Sequence, residues 1–138
     1  MNARAEAQEI IDEFTFFDDW EERYQHLIDL GRKLPEIDER YKTEDNRLRG
    51  CQSVVHFVSE YDEPYLKFYA GSDAAIVQGL IAIMMRVYSE KTPEDILATP
   101  PEFLGEIGLD EHLSPTRKNG LAAMVTAIMT EAGKASSN

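Results

Sequence analysis

Apolar positions along the chain fall into two rhythms. From Glu6 to Phe17, Ile10, Ile11, Phe14 and Phe17 recur at helical spacing, which predicts a short amphipathic helix ending at Asp18-Asp19. The next helix is expected to start there, with Asp18 as N-cap and Glu21 three residues on. Its apolar face is Trp20, Tyr24, Leu27 and Ile28, and Gly31 and Pro35 close it. A third, more apolar segment carries Ile76, Val77, Leu80, Ile81, Met84 and Val87 as one buried stripe. Gly71-Ser72-Asp73 opens it, with Ser72 the expected N-cap and Asp73 favourable near the positive helix end. Thr92-Pro93 and Ser114-Pro115 each put a hydroxyl cap before proline at a first helical position. They predict a short helix and a long final one presenting Leu121, Met124, Val125, Ile128 and Met129.

The second rhythm is that of strands. Ser53–Ser59 and Tyr65–Ala70 are rich in β-branched and aromatic residues and flank the turn-prone Tyr61-Asp62-Glu63-Pro64, so a β-hairpin is predicted. Ahead of it, the polar and charged run Glu36–Arg49 reads as an exposed approach to Gly50 and Cys51. Helices bracket one local hairpin instead of alternating with strands. The expected class is therefore α+β, a small antiparallel sheet packed against and flanked by helices. No repeat or linker divides residues 1–138, which are read as a single domain. The methionines in the two long stripes are read as core filling.

Charge narrows the choice of partners. Acidic residues outnumber basic ones 26 to 14, a net charge of −12 that repels nucleic acid and anionic lipid, so neither is an expected partner. A basic protein surface would be attracted, although a solvated acidic exterior accounts for the same excess. The stretch Ala74–Tyr88 is shorter than a bilayer requires and contains Gln78 and Arg86. A single cysteine forms no internal disulfide, and MNARAEAQEIIDEF lacks the basic-then-apolar order of a secretory signal, so a cytoplasmic location is expected.

Cys51 is the leading chemical candidate, because a thiolate is a strong nucleophile and this thiol lies where a charged approach meets a strand. Read by itself, a lone cysteine is more often a small buried apolar side chain than a nucleophile. Arg47 and Arg49 could favour its anion or be ordinary solvated charges, and Gly50 would give the backbone room to move. His26, His56 and His112 match no compact metal-ligand spacing. His56 is expected as a partly buried strand histidine, and His26 lies beside an apolar helical stripe.

Arg49-Gly50-Cys51-Gln52-Ser53 resembles the G-C-Q-S signature of the SufE family of sulfur acceptors. Leu30-Gly31 with Leu34-Pro35, and Asn46 before the signature, are similar to further family elements. So are Gly71-Ser72-Asp73-Ala74-Ala75-Ile76-Val77 with Gly79-Leu80, and Leu113-Ser114-Pro115-Thr116-Arg117 with Asn119-Gly120-Leu121. His56 departs from the tryptophan that many relatives carry after the signature.

The resemblance implies a SufE/IscU-like fold and a carrier role. Cys51 would take persulfide sulfur from a cysteine desulfurase of SufS or CsdA type, stimulate it, and pass the sulfur to a SufBCD-type scaffold or another acceptor for iron–sulfur cluster assembly. Pyridoxal phosphate would belong to the desulfurase, and this chain would bind no cofactor or metal of its own. The resemblance also implies a cysteine loop that rests partly shielded and swings out on docking. Arg49, Gly50, Gln52, Ser53, Ser72, Asp73 and Arg117 become candidates for the partner surface. The alternatives are an adaptor that activates the desulfurase without accepting sulfur, a cluster scaffold and a Cys-His hydrolase. A scaffold needs several cysteine ligands, and a hydrolase needs a base and an oxyanion site for which no local signature exists.

Overall fold

Asn2 accepts from the Ala5 backbone N–H at 2.8 Å and so starts the first helix, α1 (Ala3–Thr15), ahead of the apolar repeat that betrays it in the sequence. The computed structural model describes residues 1–137. After α1 come α2 (Trp20–Lys33), then the strands β1 (Val55–Asp62) and β2 (Tyr65–Ser72), and α3 (Ala75–Tyr88). Short helices α4 (Pro93–Leu97), α5 (Phe103–Glu106) and α6 (Leu109–His112) lead to the long α7 (Pro115–Ser136). The class is the expected α+β one. The two strands pair antiparallel from Val55↔Ser72 to Asp62↔Tyr65, so the turn is tighter than Tyr61–Pro64 and only Glu63 and Pro64 link the strands.

Local chemistry moves several boundaries. Asp19, not Asp18, caps α2, accepting from Glu22 N at 2.8 Å. The backbone N–H groups of Phe16 and Phe17 still fold back onto α1, and Asp18 is left as the link. Ser72 is not the N-cap of α3. The sheet register holds it in β2, its N–H donates to Gln78 Oε1 at 2.8 Å, and its hydroxyl accepts from Ala74 N at 3.3 Å. The α3 start at Ala74 therefore has no side-chain cap of its own. Thr92 and Ser114 do cap α4 and α7, accepting from Asp95 N at 3.1 Å and Arg117 N at 3.3 Å. The turns α5 and α6 were not foreseen, because four residues are too few to show a period; they bury Phe103, Leu104 and Leu109.

The core surrounds α3. Leu80, Ile81, Ile83, Met84, Val87 and Tyr88 are all fully buried, so apolar side chains cover nearly its whole circumference. On one side it packs on β2 through Phe68 and Ala70, and on others it meets α1, α2 and α7. Helix α7 contributes Leu121, Met124 and Ile128 to the core, as expected, with Val125 and Met129 half-buried beside them. Among the described residues, no helix is long and apolar enough to cross a membrane.

Helices α2 and α3 meet backbone to backbone. A Cβ built on Gly79 would stand 2.8 Å from Leu27 Cγ and 2.9 Å from the Leu27 carbonyl carbon, and one on Gly31 would stand 2.7 Å from Gly79 N. Neither neighbour is the free end of a side chain, so α2 and α3 would have to separate. Gly79→Ala and Gly31→Ala are each expected to lower stability by about 3 kcal/mol, the upper end of ordinary overpacking costs. Gly133→Ala meets nothing within 4 Å in α7. It should raise stability by about 0.5–1 kcal/mol through helix propensity, and urea denaturation of the three variants checks both signs.

Candidate functional site around Cys51

After α2 the chain turns through two short 3₁₀ segments, Glu39–Tyr41 and Glu44–Asn46, exposed for the most part as the composition predicts. It then doubles back against β1: Arg47 bridges to His56, and Leu48 N donates to Val55 O at 2.8 Å. That bond ties the base of a six-residue loop, Arg49–Val54. Gly50 turns the loop with φ +89°, in the left-handed region where a side chain costs roughly 1–2 kcal/mol. The turn sets Cys51 down against α7.

Cys51 is half-buried, and its Sγ–H donates to the Gly120 carbonyl oxygen at 3.7 Å. On its inner side lies a cavity of about 20 Å³ whose apolar lining comes from Val77 and Leu80 of α3 and Leu121 and Met124 of α7. Gln52, Ser53, Thr116 and Arg117 complete it. On its other side the same cysteine lines an open polar groove of about 280 Å³ with Glu44, Arg47, Leu48, Arg49 and Gly50. The thiol thus stands at the partition between an apolar chamber and a wet surface.

Burial pushes the Cys51 thiol above its ordinary range, and it is the one cause acting there. The expected help from Arg47 and Arg49 toward the thiolate is not realised. Arg47 reaches Glu44 at 3.8 Å, and Arg49 is exposed. The resting thiol is accordingly held protonated.

The structure groups the remaining candidates unequally. Gln52, Ser53 and Arg117 share the cavity with Cys51, and Arg49 and Gly50 share the groove. Ser72 and Asp73 lie apart from both, in a recess of about 230 Å³ with His56, Lys42 and Gln78 that touches the loop only at Val54. His56 is half-buried in β1, as anticipated for a strand histidine. His26 Nε2 is 3.0 Å from Glu13 Oε1, and His112 stacks on Trp20 with ring centroids 4.0 Å apart. None of the three lines the Cys51 cavity or its groove, so the Cys-His hydrolase alternative finds no histidine beside the thiol. Among the described residues, no group of three or more His, Cys, Asp and Glu is placed to hold a metal ion.

Sequence reasoning missed the cavity walls, taking Val77, Leu80, Leu121 and Met124 for plain core. The four-residue spacing of Thr116, Gly120 and Met124 was the available signal, since it puts all three on one face of α7 beside the loop.

A lone, partly shielded thiol on a tied loop, set over a helical core beside a two-stranded sheet, defines a small cysteine-bearing α+β domain. The SufE model, described as Fe-S metabolism associated domain, matches residues 8–132, and the chain belongs to this family. Relatives named "uncharacterized SufE-like protein" occur in Rhizobium meliloti (strain 1021) and Rhizobium etli. The first is 43% identical, with 90% of this chain and 92% of the relative aligned. The second is 44% identical over 93% and 90%. A protein from Thermus thermophilus, described as hypothetical and solved in solution, shares the fold with a TM-score of 0.79. It has 22% identity over 96% of this chain and 97% of that one.

The raised thiol has a consequence for stability against pH. Because burial disfavours the thiolate in the folded protein, the unfolded chain loses its thiol proton first as pH rises. The stability this group contributes is complete below the ordinary thiol value of about 8.5 and is lost as pH climbs through the higher folded value. Cys51→Ser carries no such group. The wild type should lose stability relative to Cys51→Ser as pH rises above the ordinary thiol value in urea titrations at stepped pH, with the curves parallel below it.

Proposed function

We propose that this protein is a sulfur carrier for iron–sulfur cluster assembly, loaded on Cys51 by a pyridoxal-phosphate cysteine desulfurase. The observation that carries the reading is the position of the chain's single thiol, in a SufE domain, between an apolar cavity and an open groove. Such a thiol can be presented to a partner on one side and withdrawn from solvent on the other.

Loading is a thiol exchange in which no electrons are gained or lost overall. The Cys51 thiolate attacks the outer sulfur of the desulfurase's persulfide, a new S–S bond forms on Cys51, and the donor's S–S bond breaks. The donor cysteine leaves as a thiolate and takes up the proton that Cys51 released. A less acidic thiol yields a more nucleophilic thiolate, so the raised resting value is compatible with fast attack once docking supplies the anion. Pyridoxal phosphate remains on the desulfurase, where carbon–sulfur cleavage occurs, and this chain's part is to position the acceptor. Delivery to a SufBCD-type scaffold, a cytoplasmic setting and one functional domain over residues 1–138 complete the reading.

The decisive experiment incubates the wild type and Cys51→Ser with a SufS- or CsdA-type desulfurase and cysteine, followed by intact-mass analysis without reductant. The wild type should gain the mass of one sulfur atom at Cys51, and the variant, with unchanged circular dichroism, should gain none. Stimulation of the desulfurase by Cys51→Ser equal to that by the wild type would favour the adaptor alternative.

Docking is expected to depend on residues around the cavity more than on the separate recess. Arg117 lines the cavity and Asp73 does not. Arg117→Glu should weaken desulfurase binding by roughly tenfold, and Asp73→Arg should change it less. Calorimetry beside thermal denaturation of each variant measures the difference.

A further inference from the structure

The loop that carries Cys51 is held by very little. Its base is fixed by the Leu48–Val55 backbone bond. Above that tie, among the described residues, the Cys51 thiol to the Gly120 carbonyl is the one hydrogen bond that anchors residues 49–54. Sulfur is a weak donor, so this bond alone is a poor latch.

Beside the cavity it lines, the loop rests on two small residues one helical turn apart on α7. A Cβ at Gly50 would come within 3.3 Å of the Ala123 methyl, which places the Gly50 backbone directly on that side chain. Where Gly120 lacks a side chain, Cys51 Sγ fills the space, 3.5 Å from the position a Cβ would take. Helix α7 is anchored beneath by buried Leu121 and Met124, which resists its moving away from the loop.

We propose that Gly120 and Ala123 form the seat of the cysteine loop, and that their small size sets the balance between a shielded and a presented Cys51. Both act through the loop and are positioning residues. The consequence for sulfur traffic rests on the carrier reading above, whereas the seat itself does not. Neither residue is fully buried, and the nearest neighbour recorded for a Cβ at position 120 is the Cys51 side chain.

The distances give the proposal a graded form. A methyl at position 120 would make an ordinary van der Waals contact with Sγ at 3.5 Å, so Gly120→Ala should leave the loop seated. The branched side chain of Gly120→Val, and the longer one of Ala123→Leu, add carbons beyond those contacts, 3.5 Å from Sγ and 3.3 Å from a Gly50 Cβ, and should lift it. Lifting the loop relieves the burial that disfavours the thiolate, so alkylation of Cys51 should become faster and its pH profile should move to lower pH.

The test is the rate of iodoacetamide alkylation of the full chain across pH, with circular dichroism and thermal denaturation for every variant. Gly120→Val and Ala123→Leu should react about tenfold faster at neutral pH, the change expected when the closed-to-open ratio of the loop shifts by one power of ten. Gly120→Ala should stay within about twofold of the wild type, which a general loosening of α7 would not predict. Folded Gly120→Val and Ala123→Leu proteins with wild-type rates and profiles would overturn the seat. So would a Gly120→Ala protein that reacts as fast as Gly120→Val. If one of the bulky variants fails to fold, the other carries the comparison alone. Desulfurase loading in parallel separates the two proposals: a graded alkylation series without persulfide on wild-type Cys51 sinks the carrier reading and leaves the seat. Persulfide formation with an ungraded series does the reverse.

Discussion

Everything else in the structure depends on the contact between α2 and α3 at Gly31 and Gly79. With no Cβ between them the two backbones meet, and Leu27 packs directly against Gly79. That proximity lets α3 be enclosed on nearly all sides, which is the condition for so apolar a helix to be stable in water. It also fixes where the N-terminal half of α3 lies. Val77 and Leu80 of that half wall the Cys51 cavity, and Gln78 holds the end of β2 through Ser72. A core packing constraint is thus transmitted to the site by rigid elements.

The site is built from opposed requirements. A carrier thiol must be reactive toward one partner and inert toward everything else. Here desolvation is what disfavours the thiolate, and the charged residues lining the cavity and groove do not offset it. An arginine bound close to Sγ would have favoured the thiolate permanently, in the free protein as well as in the complex. Arg47 lies toward Glu44 instead, on the wall of the open groove that Cys51 also lines.

Long elements were legible in the sequence because each carries a whole repeat of its period. The α3 stripe, the hairpin and the α7 stripe fall where the apolar spacing puts them, and Thr92 and Ser114 cap as read. Boundaries failed where one residue could serve two structures. Ser72 has the chemistry of a cap but was claimed by sheet pairing, and Asp18 and Asp19 offer the same carboxylate one position apart. Cys51 could be singled out by its neighbours in the chain. Its cavity could not, since that is made by two helices far apart in sequence whose lining residues are indistinguishable from core by type. Nor could composition foretell that Ser72 and Asp73 would face a different recess from Arg117.

The Leu48–Val55 tie sets the reach of the loop. Cys51 is the third residue beyond Leu48, so even a fully extended segment carries its backbone only about 10 Å from that anchor. This is a short tether, unlike a swinging arm that visits two stations from one fixed position. On the carrier function proposed above, a thiol so constrained would require the protein to travel as a whole, binding donor and acceptor in turn through the same face. The two partners of that proposal would then compete for one face, and the flux of sulfur would be governed by how quickly each complex dissociates.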